Sequence, residues 1–239
     1  MGLVLVAAVT LVCGTIQSMV GFGYNILFMA VIPFFIPYNE AVLACLLGAL
    51  LSCTVNLIPR LKKVRVKYII PSLISYFFAA ALATNFIDGL DVSVLRRGLG
   101  LLLFVLAIFF IFFSSHIKIR GTVLNGIIAG LLSGAGGGAF AINGPPIGVY
   151  MLSVLDDKDE YMATTQAYFI IAGLYTIAVK ILTVGISTLT VSHVITVLLA
   201  TAAGVLAGIK IYDKLNEKAV KMCVYVFMGL SGLWILIGG

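Results

Sequence analysis

Residues 121–155, GTVLNGIIAGLLSGAGGGAFAINGPPIGVYMLSVL, form an uncharged run too long to be one straight membrane helix. At ~1.5 Å per residue it would reach about 50 Å, against a bilayer core of about 30 Å. Near its middle lies SGAGGGAF (133–140), where each glycine lowers helix propensity by about 1 kcal/mol relative to alanine, so the run is expected to break there. Beyond it, Pro145 and Pro146 remove two backbone donors and push Gly144 away from helical geometry. The run 1–39 is built the same way and carries VGFGYN (20–25) at its centre. A second break is expected at that point.

The rest of the chain fits this reading. With 62% hydrophobic and 10% charged residues among 239, a soluble domain is excluded, since such domains carry about 25% charged residues. The remaining uncharged runs, at 41–59, 68–87, 98–115, 161–179, 181–209 and 222–239, are each of a length to cross once. The net charge of +6 comes from 15 Lys and Arg set between apolar runs. They read as topology signals and not as a nucleic-acid-binding face. Cys13, Cys45, Cys53 and Cys223 lie in apolar runs without a CxxC or Cys/His cluster, so no disulfide framework, metal or cofactor is expected. The opening MGLVLVAAVT lacks a basic leader and reads as a retained membrane segment.

Charge placement decides how the two long runs cross. If both turn back, with loop 60–67 inside, twelve basic residues fall inside: Arg60, Lys62, Lys63, Arg65, Lys67, Lys118, Arg120, Lys158, Lys210, Lys214, Lys218 and Lys221. Arg96, Arg97 and Lys180 remain outside. If both cross once, the split is eight to seven. The positive-inside rule therefore favours hairpins or pairs of short helices.

The chain also reads as a duplication. Ser18, Gly21 and Gly23 recur 115 residues later as Ser133, Gly136 and Gly138; Glu40 and Arg60 recur after 120 as Glu160 and Lys180; Asp88, Leu90 and Arg96 recur after 125 as Asp213, Leu215 and Lys221. A turned-back segment plus three spans is an odd number of crossings, so the second copy starts from the opposite face. The expected fold is all-α: a polytopic helical membrane protein of two inverted repeats, each a glycine-interrupted helical hairpin plus three transmembrane helices. Repeat 1 covers 1–119 (hairpin 1–39, spans 41–59, 68–87, 95–115). Repeat 2 covers 120–239 (hairpin 121–155, spans 161–180, 190–212, 218–238), the two forming one membrane domain. Inverted repeats with interrupted helices point to the midplane site of a secondary transporter.

At such breaks, freed N–H groups and helix N-termini suit an anion. The expected binding set is Gly21, Gly23, Tyr24 and Asn25 facing Gly136, Gly137, Gly138 and Ala139, with Asn143 as ligand or cap and Gly144, Pro145 and Pro146 as structural breaks. The same glycines also suit close helix packing. Gly137→Leu is expected to block transport and leave expression largely intact. Gln17, Ser18, Asn56, Ser133, Thr165 and Gln166 are the polar side chains expected along a pathway; hydroxyls commonly bond back to their own helix. Asn85 and His193 read as interfacial, and Glu40, Asp156, Asp157, Asp159 and Glu160 as loop charges. No carboxylate lies deep in a run, which speaks against a buried proton relay. The sequence has no GxxxxGK[ST], HExxH or GxSxG, so neither ATP-driven transport nor hydrolysis is expected.

The segments SMVGFGYNILFMAVIP and SGAGGGAFAINGPPIGVYM, each followed by three spans, resemble the sulfite exporter TauE/SafE family of membrane permeases across essentially the whole chain. The resemblance carries over at Gly21, Gly23, Gly136, Gly137, Gly138, Gly144, Pro145 and Pro146, while Tyr24 departs from the glycine common after GFG in relatives. It implies transport of sulfur-containing anions such as sulfite or organosulfonates across a prokaryotic cytoplasmic membrane, with a small anionic substrate and the lipid bilayer as partners. No enzymatic activity is expected. The combined reading is a secondary transporter working by alternating access, one repeat moving against the other. A passive anion channel and a non-transporting membrane scaffold or assembly protein remain the alternatives, and homo-oligomerisation is left open.

Overall fold

A computed structural model describes residues 2–87, 89–112, 121–184, 191–211 and 217–238. Among them the chain is helical throughout: α1 (Gly2–Val20), α2 (Tyr24–Val31), α3 (Tyr38–Leu57), α4 (Val66–Ile87), α5 (Val92–Phe112), α6 (Val123–Phe140), α7 (Gly144–Val154), α8 (Lys158–Val184), α9 (Val191–Ile211) and α10 (Glu217–Gly238). Short 3-10 turns follow α2 (Ile32–Phe34) and α3 (Ile58–Lys63). Seven helices are long and apolar enough to cross a bilayer. Large apolar side chains such as Phe78, Phe86, Leu182 and Trp234 lie exposed on their outer faces, as a lipid-facing surface requires and a soluble monomer does not. The polytopic helical membrane architecture expected from composition is what the structure has.

At ~1.5 Å per residue, α2 and α7 are too short to span, at about 12 and 16 Å. Both are packed inside the bundle: in α2, Tyr24, Ile26, Leu27, Phe28, Met29 and Ala30 are all buried. The break before α2 falls where glycine allows it, with Gly21 at φ 87° and Gly23 at φ 120°. These are left-handed conformations that an L side chain resists.

The second break corrects the expectation at 133–140. The α6 helix runs through GAGGGAF and ends at Phe140, and the interruption is 141–143. Ala141 adopts the left-handed conformation (φ 59°), its N–H donating to the Gly137 carbonyl and that of Ile142 to the Gly136 carbonyl. The left-handed residue and its bond back to Gly137 are the αL way of closing a helix. Packing overrides the weak propensity of the glycines. Gly130, Gly134 and Gly138 recur every four residues and lay α6 onto α4: a Cβ at Gly130 would meet the Ser72 carbonyl oxygen, at Gly134 the Tyr76 carbonyl oxygen (2.6 Å), and at Gly138 the Ala80 carbonyl oxygen. The two breaks also lie 120 residues apart, not 115, so Gly21 and Gly23 stand opposite Ala141 and Asn143 in register.

The same close approach recurs between α1 and α9, where Gly204 meets the Leu11 carbonyl oxygen and Gly208 the Thr15 carbonyl oxygen (2.6 Å). The Thr15 hydroxyl donates to the Gly204 carbonyl at 3.0 Å. Thus α1 packs on α9, α6 on α4, α5 on α10 and α3 on α8. Gly134→Leu should cost about 3 kcal/mol or more by overpacking backbone that cannot yield. Gly173→Ala, whose Cβ would meet only the Leu50 side chain at 3.3 Å, should cost less than about 1 kcal/mol. Thermal unfolding of the two purified variants in detergent checks the contrast.

Candidate functional site

The two breaks meet around a narrow cavity of about 20 Å³, room for one water-sized guest. Gln17 and the α2 start (Phe22, Gly23, Asn25, Ile26) line one side; Asn143 and Gly144 at the α7 start line the other. The walls come from α3 (Leu46, Ala49, Leu50, Cys53) and α8 (Phe169, Gly173). No charged side chain contributes to the lining.

Side-chain amides hold the backbone freed at the first break. The Gly21 carbonyl accepts from Gln166 Nε2 (2.8 Å) and Gln17 Nε2 (3.3 Å), while Gln17 Oε1 accepts from the Tyr24 N–H (3.2 Å). Gln17 Nε2 also reaches Gln166 Oε1 at 3.1 Å. At the second break, the Ala141 carbonyl accepts from Asn25 Nδ2 (2.5 Å) and the Asn143 carbonyl from the Ser133 hydroxyl (2.6 Å). Asn25 therefore starts one short helix and secures the approach to the other. Asn25, Ile26 and Gly144, at or next to the first positions of α2 and α7, line the cavity, and N–H groups in a first turn have no acceptor within their own helix.

Of the expected binding set, the cavity gathers Gly23, Asn25 and Asn143, together with Gln17 and Gly144. Gly21 lies behind it, its carbonyl bound by the glutamines. Tyr24 points away: its hydroxyl shares a hydrogen bond with Thr201 (2.8 Å), and its ring fills the space left by Gly48. Gly136, Gly137, Gly138 and Ala139 sit in the last turn of α6. A Cβ on Gly137 would lie 2.5 Å from Tyr76 Oη. Gly137→Leu is thus expected to disturb the fold itself, not to leave expression intact. Asn143 makes no capping bond with its side chain, so it faces the cavity as a lining residue and not as a cap. Pro145 and Pro146 occupy the first turn of α7, where missing N–H groups cost nothing.

The polar residues expected on a pathway form a buried network. Asn56 Nδ2 donates to the Ser18 hydroxyl (3.0 Å), which donates to the Gly14 carbonyl (3.0 Å). Thr165 Oγ1 and Asn56 Oδ1 are buried without a partner among the described residues. Asn85 is exposed near the end of α4, and His193 lies in the first turn of α9.

Two readings of the charges change. Asp159 and Glu160 belong to the first turn of α8 and pair with the far end of α3: Arg60 Nε to Asp159 at 2.9 Å, Lys63 Nζ to Asp159 at 2.6 Å and to Asp157 at 3.6 Å, and Arg65 to Glu160. Lys180, read as a loop charge, lies in α8 and is buried. Sequence reasoning also missed the walls. The signal was present in the small residues of α3 and α8 at helical spacing, Ala49–Cys53 and Phe169–Gly173.

These features define a polytopic membrane protein with a narrow cavity between two interrupted helices, uncharged and mostly apolar, with Gln17, Asn25 and Asn143 as its polar side chains. The sulfite exporter TauE/SafE family model matches residues 6–235, and the chain belongs to that family. It is a family of membrane transporters. No curated protein and no solved structure matches the chain.

Gln17→Leu leaves the Tyr24 N–H without a partner in the protein interior and should lower stability by about 1–3 kcal/mol. Gln166→Leu should act less than additively with it, because both serve the Gly21 carbonyl. Thermal melts of the single and double variants test the coupling.

Proposed function

We propose that the protein is a secondary transporter of small sulfur-containing anions, of the sulfite or organosulfonate class, across the cytoplasmic membrane. The observation that carries this reading is the set of first-turn N–H groups of Asn25, Ile26 and Gly144 around an uncharged cavity between two helix N-termini. Donors and positive dipole ends there favour an anion without a buried cation. The cavity is smaller than any oxyanion of four heavy atoms and must widen to load one. Family membership supports the substrate class.

Alternating access needs two exclusive gates. The cluster of Arg60, Lys63 and Arg65 with Asp157, Asp159 and Glu160 ties α8 to the end of α3 and serves as the gate on the side that basic loop 60–67 assigns to the cytoplasm. With α1–α5 corresponding to α6–α10, the pair α1–α9 matches α6–α4 and the pairs α3–α8 and α5–α10 each map onto themselves, which supports two inverted repeats of five helices each. A cavity too narrow for the anion favours a carrier over an open channel.

Proteoliposomes offered labelled sulfite, sulfate, thiosulfate or a small organosulfonate should show saturable uptake of at least one, accelerated by the same anion on the far side. Non-saturating flux without this acceleration would indicate a channel. Lack of flux from folded, inserted protein would remove the transport reading. Removing the gate charges with Asp159→Asn and Glu160→Gln together should expose the cavity. The Cys53 thiol should then react faster with a small maleimide, as read peptide by peptide in mass spectrometry.

A further inference from the structure

A charged side chain inside a membrane helix is costly unless something compensates it, and a buried charge is ordinarily paired. Lys180 is the exception here. It lies in α8 at 7% exposure, and no acidic group among the described residues pairs with it, although Arg60, Lys63 and Arg65 are all paired. Its stem is packed between helices while the ammonium at its tip keeps some contact with open space.

Its place on the helix gives it a direction. Phe169 and Gly173 line the cavity, and Thr176 and Lys180 follow at the next helical steps on the same face. Thr176 Oγ1 shares a 2.6 Å hydrogen bond with Tyr76 Oη. Lys180 thus stands about 10 Å beyond Gly173 along the face that leads out of the cavity. The equivalent track on α3, leading to the other end of α8, is Cys53, Asn56 and Arg60, each 120 residues before Gly173, Thr176 and Lys180. Arg60 Nη1 bonds the Asn56 carbonyl (3.2 Å) and its Nε is held by Asp159. The cavity therefore has a cation along each track. The one on α3 is neutralised, and the one on α8 meets no acidic group among the described residues.

We propose that Lys180 is a binding residue for the transported anion, a station at the end of the path opposite the ion-paired cluster, where the ammonium takes an oxyanion before it reaches the N–H groups at the breaks. This assignment rests on the transport reading above. The ligand chemistry is a small oxyanion bearing at least one formal charge, which supplies the counter-charge that no described residue provides.

Uptake of radiolabelled sulfite into proteoliposomes, measured against concentration, tests it in wild type, Lys180→Gln and Lys180→Arg. Loss of a charge-assisted contact should raise KM about tenfold or more in Lys180→Gln, with a smaller change in the saturated rate, and Lys180→Arg should restore most of the affinity. Wild-type flux with an unchanged KM in Lys180→Gln would overturn the assignment, as would an arginine variant as impaired as the glutamine one. Absence of wild-type flux for sulfite and for the other anions would instead overturn the transport reading itself. Should Lys180→Gln fail to reach the membrane, saturating sulfite should protect Lys180 of the wild-type protein from acylation by a small amine-reactive ester. Equal acylation with and without sulfite would overturn the proposal.

Discussion

A peptide group released from a helix within a bilayer has no water to bond, so every interruption must bring its own partners or line a cavity. The centre of this protein is organised by that constraint. At the first interruption Gln17 and Gln166 converge on one carbonyl, and Gln17 also takes the N–H that begins the next helix. At the second, Asn25 and Ser133 take the carbonyls of Ala141 and Asn143. Because Asn25, in the first turn of α2, serves the opposite break, the second interruption is completed by the first. The first-turn donors of Asn25, Ile26 and Gly144 lie at the cavity, so the structural need and the proposed site share one set of backbone groups.

Around this centre, large polar side chains find places made for them by small residues. Tyr24 occupies the space of Gly48 and ends on Thr201; Tyr76 lies against Gly137 and ends on Thr176; Tyr168 reaches Ser133 at 3.2 Å. Each ring fills volume between helices, and its hydroxyl meets a threonine or serine. Apolar packing and hydrogen bonding are thereby met at the same positions, which matters where an unpaired hydroxyl would be costly.

Much of this was legible in the sequence. Run lengths and missing charges define the membrane helices, and two overlong runs with glycine at their centres announce two breaks. The first break was placed by Gly21 and Gly23, whose left-handed geometry is a property of the residues themselves. The second was misplaced because propensity counts a glycine as a break, whereas Gly130, Gly134 and Gly138 are paid for by contact with α4, a partner nearly sixty residues away. Asn25 and Asn143 could be picked out as rare amides at the breaks. The bonds of Gln17 with Gln166 and of Arg60 with Asp159 could not, since they join segments that only the tertiary fold brings together. Lys180 escaped for a similar reason: hydropathy cuts a run at any charge, and only burial shows that the helix continues through it.

The glycine seams also fix what can move. In α1–α9 and α4–α6 backbone lies directly on backbone, with no side chains between to slide or change rotamer. Each seam joins a helix from one half of the chain to a helix from the other. Rocking one half of the sequence against the other would tear both seams at once. A carrier motion of the proposed kind would therefore keep these interlaced pairs whole and fall at the α3–α8 boundary, where side chains such as Leu50 separate the helices and the cavity and the ion pairs lie.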